Sequence, residues 1–477
     1  PVTEDASGHL VVGPATAQQA RRAPEPTRPG SDAVAPHILG VSARMFSRYR
    51  VSAAVTALAL SAGFASAAHA QAFYLQEQSA RGAGRAFSGE VADTDAASLW
   101  WNPAAIAGST DAEAAVSAAA ILPKGKVVDN GTVIRRPGQP FAPVGGNAVS
   151  RDPINNGVLP SGAFALPLND RVALGLAVTS PYSFTTNYET ESWARYGADR
   201  THLLTIDIQP GIAVAVTDWL RIGGAANVEY TDASLSNALP NVLASLPDGS
   251  QKLEGDGWDL GWSAGFQMHN EHTTVGFSYK SAIKHTLKGN LTISGLVGPL
   301  AGANADLSGV KARFYTPAQI ILGLRQRAGS ALTLNAQVVR YTWNKFDAIR
   351  LGAPLNTAIP ENYRNSWSYA GGLDYAVSPK LTLRAGVQRA ITPTRDGERD
   401  PRVPDANRWN YGGGLSFQLS PRFGIDAAAN YVDFKDETID RVTAAYAGTA
   451  AQTPIVTNGR LEDAHAVVLS LGGRFTF

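Results

Sequence analysis

Apolar residues recur at every second position over most of this chain, from about Ala114 to its end. In residues 204–216 and 258–268 the positions between them carry mainly Thr, Asp, Gln, Ser, Gly and Ala. A period of two places successive side chains on opposite faces of the backbone, so the pattern predicts β-strands with one apolar and one polar face. Soluble sandwiches and membrane barrels both contain such strands, and alternation alone does not separate them.

The lengths of the connections do separate them. Very short turns are predicted near residues 169–171, 217–218, 269–272, 328–330, 378–380 and 420–422. Long connections lie between them, near residues 123–158, 185–200, 232–256, 289–307, 348–366, 391–407 and 434–462. Outer-membrane barrels have short periplasmic turns and long external loops. We therefore predict an all-β membrane protein, with an antiparallel transmembrane β-barrel of about 14 strands over residues 113–477.

Aromatic residues and composition agree with this fold. Aromatic side chains near strand ends are typical of the girdles at membrane interfaces, and the predicted examples are Trp219, Tyr230, Tyr279, Tyr341 and Trp343. The chain has no cysteine, which excludes disulfides and cysteine-based metal sites or nucleophiles. Its formal net charge of +1 does not favour a nucleic-acid partner. We expect no metal, no cofactor and no enzymatic activity.

Export is predicted from the residues before the barrel. Residues 45–70 read as a signal peptide, with a basic start at Met45, an apolar core and the small-x-small sequence Ala68-His69-Ala70. A transmembrane anchor is the alternative, although the apolar core is short for a span of about 20 residues. Residues 1–44 contain no Met and are interpreted as an over-extended gene start, or else as a real leader. An exported barrel belongs in the bacterial outer membrane.

Residues 71–112, the N-terminal segment, lack the period of two. Gly and Pro interrupt the segment, which indicates short helices. Asn102 followed by Pro103 suits a helix start, because Asn caps the first turn and Pro needs no amide partner there. A barrel of about 14 strands has a lumen too wide for its own side chains to fill. We therefore predict that the N-terminal segment is a hatch that plugs the lumen.

Several motifs together resemble the FadL/TodX family of long-chain fatty acid and hydrocarbon transporters. The matching stretches are residues 73–78, 82–90, 92–97, 102–104, 166–170, 257–265, 279–281, 288–290, 341–343, 404–405, 408–409 and 430–431. The resemblance implies a fourteen-stranded barrel with an internal hatch, ligand capture on outer loops, an interior site, and lateral release beside a kinked third strand. The hatch and gating residues it implies are Phe73, Gly82, Gly84, Asn102, Pro103 and Ala104.

Two of the long connections are unusually apolar. Exposed apolar patches often bind ligands, and the predicted capture residues are Leu235, Leu239, Val242, Leu243, Leu291, Ile293 and Leu296. These residues packing against one another is the other interpretation. A fatty acid also needs a cation for its carboxylate. Arg350 resembles a basic interior position of the family, with a solvated strand-end charge as its alternative. A second basic position of the family has Thr231-Asp232 here, which leaves neutral hydrocarbons open.

The sequence thus predicts passive uptake of hydrophobic compounds, most simply long-chain fatty acids. Hydrocarbon uptake by the same fold and a general porin remain alternatives, although a porin reading leaves the N-terminal segment unexplained. Inward charges of both signs are expected to pair with one another and to anchor the hatch, as at Arg325, Asp374, Arg384 and Asp426. Expected partners are outer-membrane lipid, lipopolysaccharide, and the barrel-assembly machinery through Phe477. We expect a monomer.

Overall fold

The computed structural model describes residues 3–4, 10–11 and 72–477. Contacts divide the chain into the units Pro1–Ser47 and Arg48–Phe477. In the first unit, Thr3–Glu4 pairs with Leu10–Val11 in an antiparallel two-stranded sheet. The predictions for residues 1–44 fall almost wholly outside the described residues, and those for residues 45–70 fall outside them entirely. In the described ranges, no helix has the length and apolar character needed to cross a membrane.

Fourteen antiparallel strands of the second unit form a closed barrel, which confirms the predicted fold class. The strands are β1 Glu113–Asp129, β2 Gly157–Pro167, β3 Val172–Thr179 with Ser183–Asn187, β4 Arg200–Thr217, β5 Leu220–Leu239, β6 Gly249–His269, β7 Thr273–Lys280 with Ile283–Ser294, β8 Ala305–Thr316 with Gln319–Ala328, β9 Leu332–Tyr341 with Ala348–Leu351, β10 Thr357–Pro360 with Ser366–Ser378, β11 Leu381–Ala390, β12 Arg408–Ser420, β13 Phe423–Phe434 with Glu437–Ala445, and β14 Thr453–Thr476.

Closure comes from pairing of the last strand with the first. Phe475 of β14 lies opposite Ala114 of β1, and Thr476 lies opposite Glu113. The shorter elements lie in connections: strands Val133–Ile134, Ala142–Pro143 and Val149–Arg151, and 3-10 helices Gly298–Ala303 and Trp343–Lys345.

Short turns gather at one end of the barrel and long connections at the other, as predicted. The extent of the long connections was overestimated, however. Residues 232–256 were predicted as one loop, yet β5 continues to Leu239 and β6 begins at Gly249, with Leu235 paired to Leu253. The parts of the strands that extend beyond the membrane do not need an apolar outer face. The alternation of apolar and polar residues therefore fades there, although the backbone pairing continues. The long-loop end therefore extends the barrel wall as paired strands.

The outer face of the barrel is apolar and its lumen is polar. Leu260 and Leu471 point outward, with 73% and 69% of their surface exposed. On β4, the side chains of Thr205, Asp207 and Gln209 are almost fully buried in the lumen. A soluble sandwich would show the opposite arrangement, so this distribution suits a barrel surrounded by lipid.

Two of the aromatic residues predicted for the girdles do not lie there. Trp219 is 53% exposed, consistent with an interface position, whereas Tyr341 and Trp343 are fully buried. The first part of β9 ends at Tyr341, and the 3-10 helix Trp343–Lys345 turns the chain inward. The prediction was wrong for these two, because a strand end alone does not say which way the following turn directs its side chains.

Residues 72–112 of the N-terminal segment pack inside the barrel. They contain one short α-helix, α1 Ala80–Ala83, and three 3-10 helices, Glu90–Ala92, Ala96–Trp100 and Pro103–Gly108. Their largest side chains, including Trp100 and Trp101, are completely buried. Asn102 caps the last helix, because its Oδ1 accepts a hydrogen bond from the Ala104 amide at 3.0 Å. The predicted helix start is confirmed.

Candidate functional site

An apolar cavity lies in the barrel toward the long-loop end, with an empty volume of about 750 Å³ that includes space open to solvent. Strands β4 to β8 provide most of its wall, and the N-terminal segment contributes one aromatic ring. Apolar side chains that line it are Phe73, Leu235, Leu253, Leu287, Val310 and Phe314.

Four ionisable side chains interrupt the apolar lining: His202, Glu254, Glu361 and Arg402. Glu254 is paired with Lys252 at 2.5 Å, and both are about half exposed. Arg402 is held more firmly, because its Nη2 donates to Asn237 Oδ1 at 3.3 Å and its Nη1 lies 3.9 Å from Asp400.

The Nε of Arg402 is buried and has no hydrogen-bond partner in the described part of the chain. An unpaired buried donor costs about 1–3 kcal/mol. Arg402 is the arginine among the residues that line the cavity.

Phe73 of the N-terminal segment closes the cavity from below with an aromatic cluster. Its ring centroid lies 4.9 Å from Trp343, 5.3 Å from Phe346 and 5.7 Å from Phe184. The pairs with Trp343 and Phe346 are edge-on and the pair with Phe184 is stacked, and aromatic pairs in these geometries contribute about 0.5–1.5 kcal/mol each beyond area burial. Movement of Phe73 would open the cavity toward the rest of the lumen.

A buried ion-pair network joins the N-terminal segment to the barrel wall. Arg85 is completely buried, and its Nη2 contacts Glu90 and lies 2.6 Å from Asp93. Its Nη1 lies 3.4 Å from Asp374 of β10. Arg325 of β8 bridges the same two aspartates, at 3.3 Å from Asp93 and 3.0 Å from Asp374. The predicted anchoring by inward charges is confirmed here.

The network continues around the wall. Arg384 of β11 lies 2.7 Å from Asp374, and Asp426 of β13 pairs with Arg474 of β14 at 2.8 Å. Wall charges therefore neutralise one another as predicted. Asp207 of β4 differs, since its carboxylate accepts a hydrogen bond from Asn227 at 2.7 Å.

Glycines of the wall allow the N-terminal segment to approach closely. A Cβ added at Gly386 of β11 would lie 2.1 Å from the carbonyl oxygen of Arg85, and one at Gly276 of β7 would lie 2.1 Å from that of Val91. Any larger residue would displace the segment, since real Cβ atoms do not approach a carbonyl oxygen so closely. The abundance of glycine in these strands is explained in part by this docking.

A gap in the barrel wall lies beside the break in β3. β2 pairs with β3 only from Gly162, opposite Val178, toward the short-turn end. Gln78 of the N-terminal segment bridges the gap: Ser161 donates to its carbonyl oxygen at 2.7 Å, and its Nε2 donates to the Ser180 carbonyl at 3.0 Å. The Leu75 amide also donates to the Pro181 carbonyl, at 2.7 Å. The N-terminal segment thus completes the wall where the strands do not.

The other predicted hatch residues pack tightly within this arrangement. A Cβ on Gly82 would lie 2.7 Å from the Glu90 carboxyl carbon, and one on Gly84 would lie 3.1 Å from Gly414 of β12. Pro103 and Ala104 lie against Gly223 of β5, where a Cβ would meet their backbone at 2.5 Å. Asn102 also donates from Nδ2 to the Val91 and Phe266 carbonyls.

The predicted capture residues divide into two groups. Leu235 lines the cavity, and Leu291 belongs to the main core cluster with Ile293 packed against it. A separate cluster holds three residues of the long-loop end, with Val242 and Ile293 against it: Leu239, Leu296 and Leu300. Leu243 is 53% exposed. Mutual packing, the second interpretation of these residues, therefore describes several of them.

Arg350 does not face the interior, so this prediction was wrong. Its side chain is 52% exposed and forms an ion pair with Asp347 at 2.6 Å. The preceding residue, Ile349, lines the cavity instead. Neighbouring residues of a strand point to opposite faces, so the Arg350 side chain points away. Arg402, which does line the cavity, was not predicted; it lies in a predicted long connection just before the Pro404-Asp405 motif.

The C-terminal Phe477 lies at the short-turn end. Its amide donates to the Ala112 carbonyl at 3.0 Å, and its ring packs edge-on against Phe164 at 6.4 Å. The end of the chain is thereby joined to the start of β1.

A closed barrel with an apolar outside and a filled lumen defines the class of transmembrane β-barrels. Comparisons with known proteins identify the family. The family described as "Outer membrane protein transport protein (OMPP1/FadL/TodX)" matches residues 61–477. Outer membrane protein P1 of Haemophilus influenzae is 25% identical over 402 residues, which are 76% of this chain and 84% of that protein.

Two further relatives agree. The long-chain fatty acid transport protein of Escherichia coli O6:H1 is 23% identical over 395 residues, 76% of this chain and 86% of that protein. The crystal structure of a Pseudomonas aeruginosa FadL homologue matches with a TM-score of 0.74 and 25% identity, covering 85% of this chain and all of that one.

The chain belongs to the OMPP1/FadL/TodX family of outer-membrane transport proteins, as the sequence motifs indicated. It is a bacterial outer-membrane β-barrel of a family that transports hydrophobic compounds. The family consists of transport channels and not of enzymes.

Proposed function

We propose that this protein is a passive uptake channel for long-chain fatty acids. The observation that carries the proposal is the cavity at the long-loop end, whose lining is apolar apart from a few ionisable side chains. An acyl chain would lie against Leu235, Leu253 and Leu287, and its polar head would lie beside Arg402. One cation in an apolar slot suits an amphipathic ligand better than a small polar solute.

The exit is proposed at the gap beside β3. Phe73 packs against the cavity wall, while Gln78, five residues later, bridges β2 and β3. One movement of the N-terminal segment would therefore open both the floor of the cavity and the wall. Ligand would leave sideways into the membrane, and the driving force would be its concentration gradient.

Filling the cavity tests the proposal. Ala233 lines the cavity, whereas Ala226 lies on the lipid side of the same strand, β5. We expect Ala233→Trp to weaken oleate binding at least tenfold, because the indole occupies the volume of the acyl chain. Ala226→Trp should leave binding unchanged. Binding is measured by isothermal titration calorimetry in detergent. Equal oleate affinity of the two variants would overturn the proposal.

Uptake of neutral hydrocarbons is the second candidate. The observation that favours it is Glu361, a carboxylate in the same cavity as Arg402, which offsets the positive charge available to a ligand. Competition between oleate and hexadecane for the cavity separates the two functions. Displacement of oleate by equimolar hexadecane would favour a hydrocarbon channel. A general porin fits less well, because the N-terminal segment fills the lumen and is ion-paired to its wall.

A further inference from the structure

Glu361 is a buried acid in an apolar cavity. It follows the strand Thr357–Pro360 in the long-loop region, and its side chain is only 6% exposed. Its backbone amide donates to the Asp347 carbonyl at 2.7 Å, which holds the residue in place. Within the described ranges, its carboxylate accepts no hydrogen bond and makes no ion pair. An isolated carboxylate away from water is costly, and the usual outcome is that it takes up a proton.

The cations nearest to Glu361 are already in use. Arg441 contacts Asp400 through Nη1 and the Pro360 carbonyl through Nη2. Arg402 also lies 3.9 Å from Asp400. The charged and titratable groups around Glu361 are Arg402, Arg441, Asp400, Glu398 and Tyr363, with the cavity residues His202 and Glu254.

Burial favours the protonated form of Glu361. Removal from water, followed by the negative charge of Asp400, raises the pKa of Glu361 to about 7, although Arg441 opposes the change. The carboxyl group therefore changes charge in the physiological range. Above this pH the cavity carries one more negative charge than below it.

We propose that Glu361 selects ligands by the charge of their heads, so that an anionic head enters the cavity only together with a proton taken up by Glu361. The inference rests on the proposed binding of amphipathic ligands in this cavity. When Glu361 is ionised, it repels an anionic head, and its negative charge offsets the positive charge of Arg402. When it is protonated, it can donate a hydrogen bond to that head. A neutral head has no charge to be repelled, so its binding is independent of this proton.

The experiment uses two ten-carbon probes with heads that do not titrate between pH 6 and 8: decanesulfonate, always an anion, and decanol, always neutral. If only the protonated form binds the anion, the competent fraction at a pKa of about 7 is roughly tenfold smaller at pH 8 than at pH 6. We expect the Kd of decanesulfonate to rise about tenfold over this interval. The Kd of decanol should stay constant.

Two variants identify the residue responsible. Glu361→Gln should bind decanesulfonate at pH 8 as tightly as the unaltered protein does at pH 6, with no dependence on pH. Glu254→Gln is the matched control: this acid also lines the cavity, but it is half exposed and paired with Lys252, so the tenfold dependence should remain. Heat-modifiable migration of the barrel on electrophoresis verifies that both variants fold.

The inference is overturned if decanesulfonate binds the unaltered protein equally at both pH values, or if Glu361→Gln keeps the tenfold dependence. Failure of the proposed function would give a different result. If the cavity does not bind amphipathic ligands, Ala233→Trp would leave the binding of both probes unchanged.

Discussion

Removal of Arg85 should release the N-terminal segment from the wall. Arg85 is completely buried and contacts three carboxylates, those of Glu90, Asp93 and Asp374. Arg85→Met keeps much of the side-chain volume and removes the charge. Asp93 and Asp374 keep Arg325 as a partner after this change. Glu90 has no other cation partner among the described residues and would be left buried and unpaired.

The magnitude follows from the contacts that remain. Removing one member of a buried ion pair costs about 3–5 kcal/mol. We take the lower value, about 3 kcal/mol, because two of the three carboxylates stay paired. At about 1.4 kcal/mol per factor of ten, the undocked population of the segment should rise roughly a hundredfold.

A single cysteine measures this population. The chain has no cysteine of its own. Ser88 of the N-terminal segment is fully buried against β10. Ser88→Cys therefore provides one reactive site that a methanethiosulfonate reagent reaches only when the segment undocks. We expect labelling to be about a hundredfold faster with Arg85→Met. Lys126→Met is the control: it breaks an exposed pair with Asp463 that water screens, so labelling should not change.

Equal labelling rates with and without Arg85→Met would show that the network does not hold the segment. An equal acceleration by Lys126→Met would also contradict the prediction, since it would indicate a general loosening of the barrel.

Two further changes test the docking surface and the cavity. Gly386→Ala places a Cβ 2.1 Å from the Arg85 carbonyl oxygen, so it should displace the N-terminal segment and raise ion conductance in planar bilayers. Gly371→Ala, with open space around it, should not raise the conductance. Equal conductance of the two variants would contradict this docking. Leu235→Asp puts a charge into the cavity wall and should reduce uptake of labelled oleate into vesicles at least tenfold, while Leu243→Asp on the exposed outer surface should have little effect; the opposite ranking would place ligand capture on the outer surface.

Much of the fold was predictable because its signals are local. Alternation with a period of two is a property of each strand, and the alternation of short turns with long connections follows from a chain that crosses a membrane repeatedly. The cap at Asn102 was predictable for the same reason, since its partner is the amide of Ala104, two residues away. Inward charges could be expected to pair because an unpaired charge inside a barrel is costly.

The site was less predictable because it depends on facing and on long-range proximity. A shift of one residue turns a side chain to the other face of a strand, and this decided between Ile349, in the cavity, and Arg350, in solvent. The end of β5 and the start of β6 could not be predicted, because strand pairing outside the membrane does not require alternating apolar residues.

Periodicity, connection length and composition are enough to predict a membrane barrel of about 14 strands with a non-strand segment before it. The position of the candidate ligand site and the charges that face it emerge only once the chain is folded. Phe73 lies hundreds of residues before Glu361 and Arg402, and these two lie in different connections. No local sequence pattern relates the three residues that line the cavity. They meet because closure of β14 on β1 wraps the wall around the N-terminal segment, which brings distant parts of the chain to one cavity.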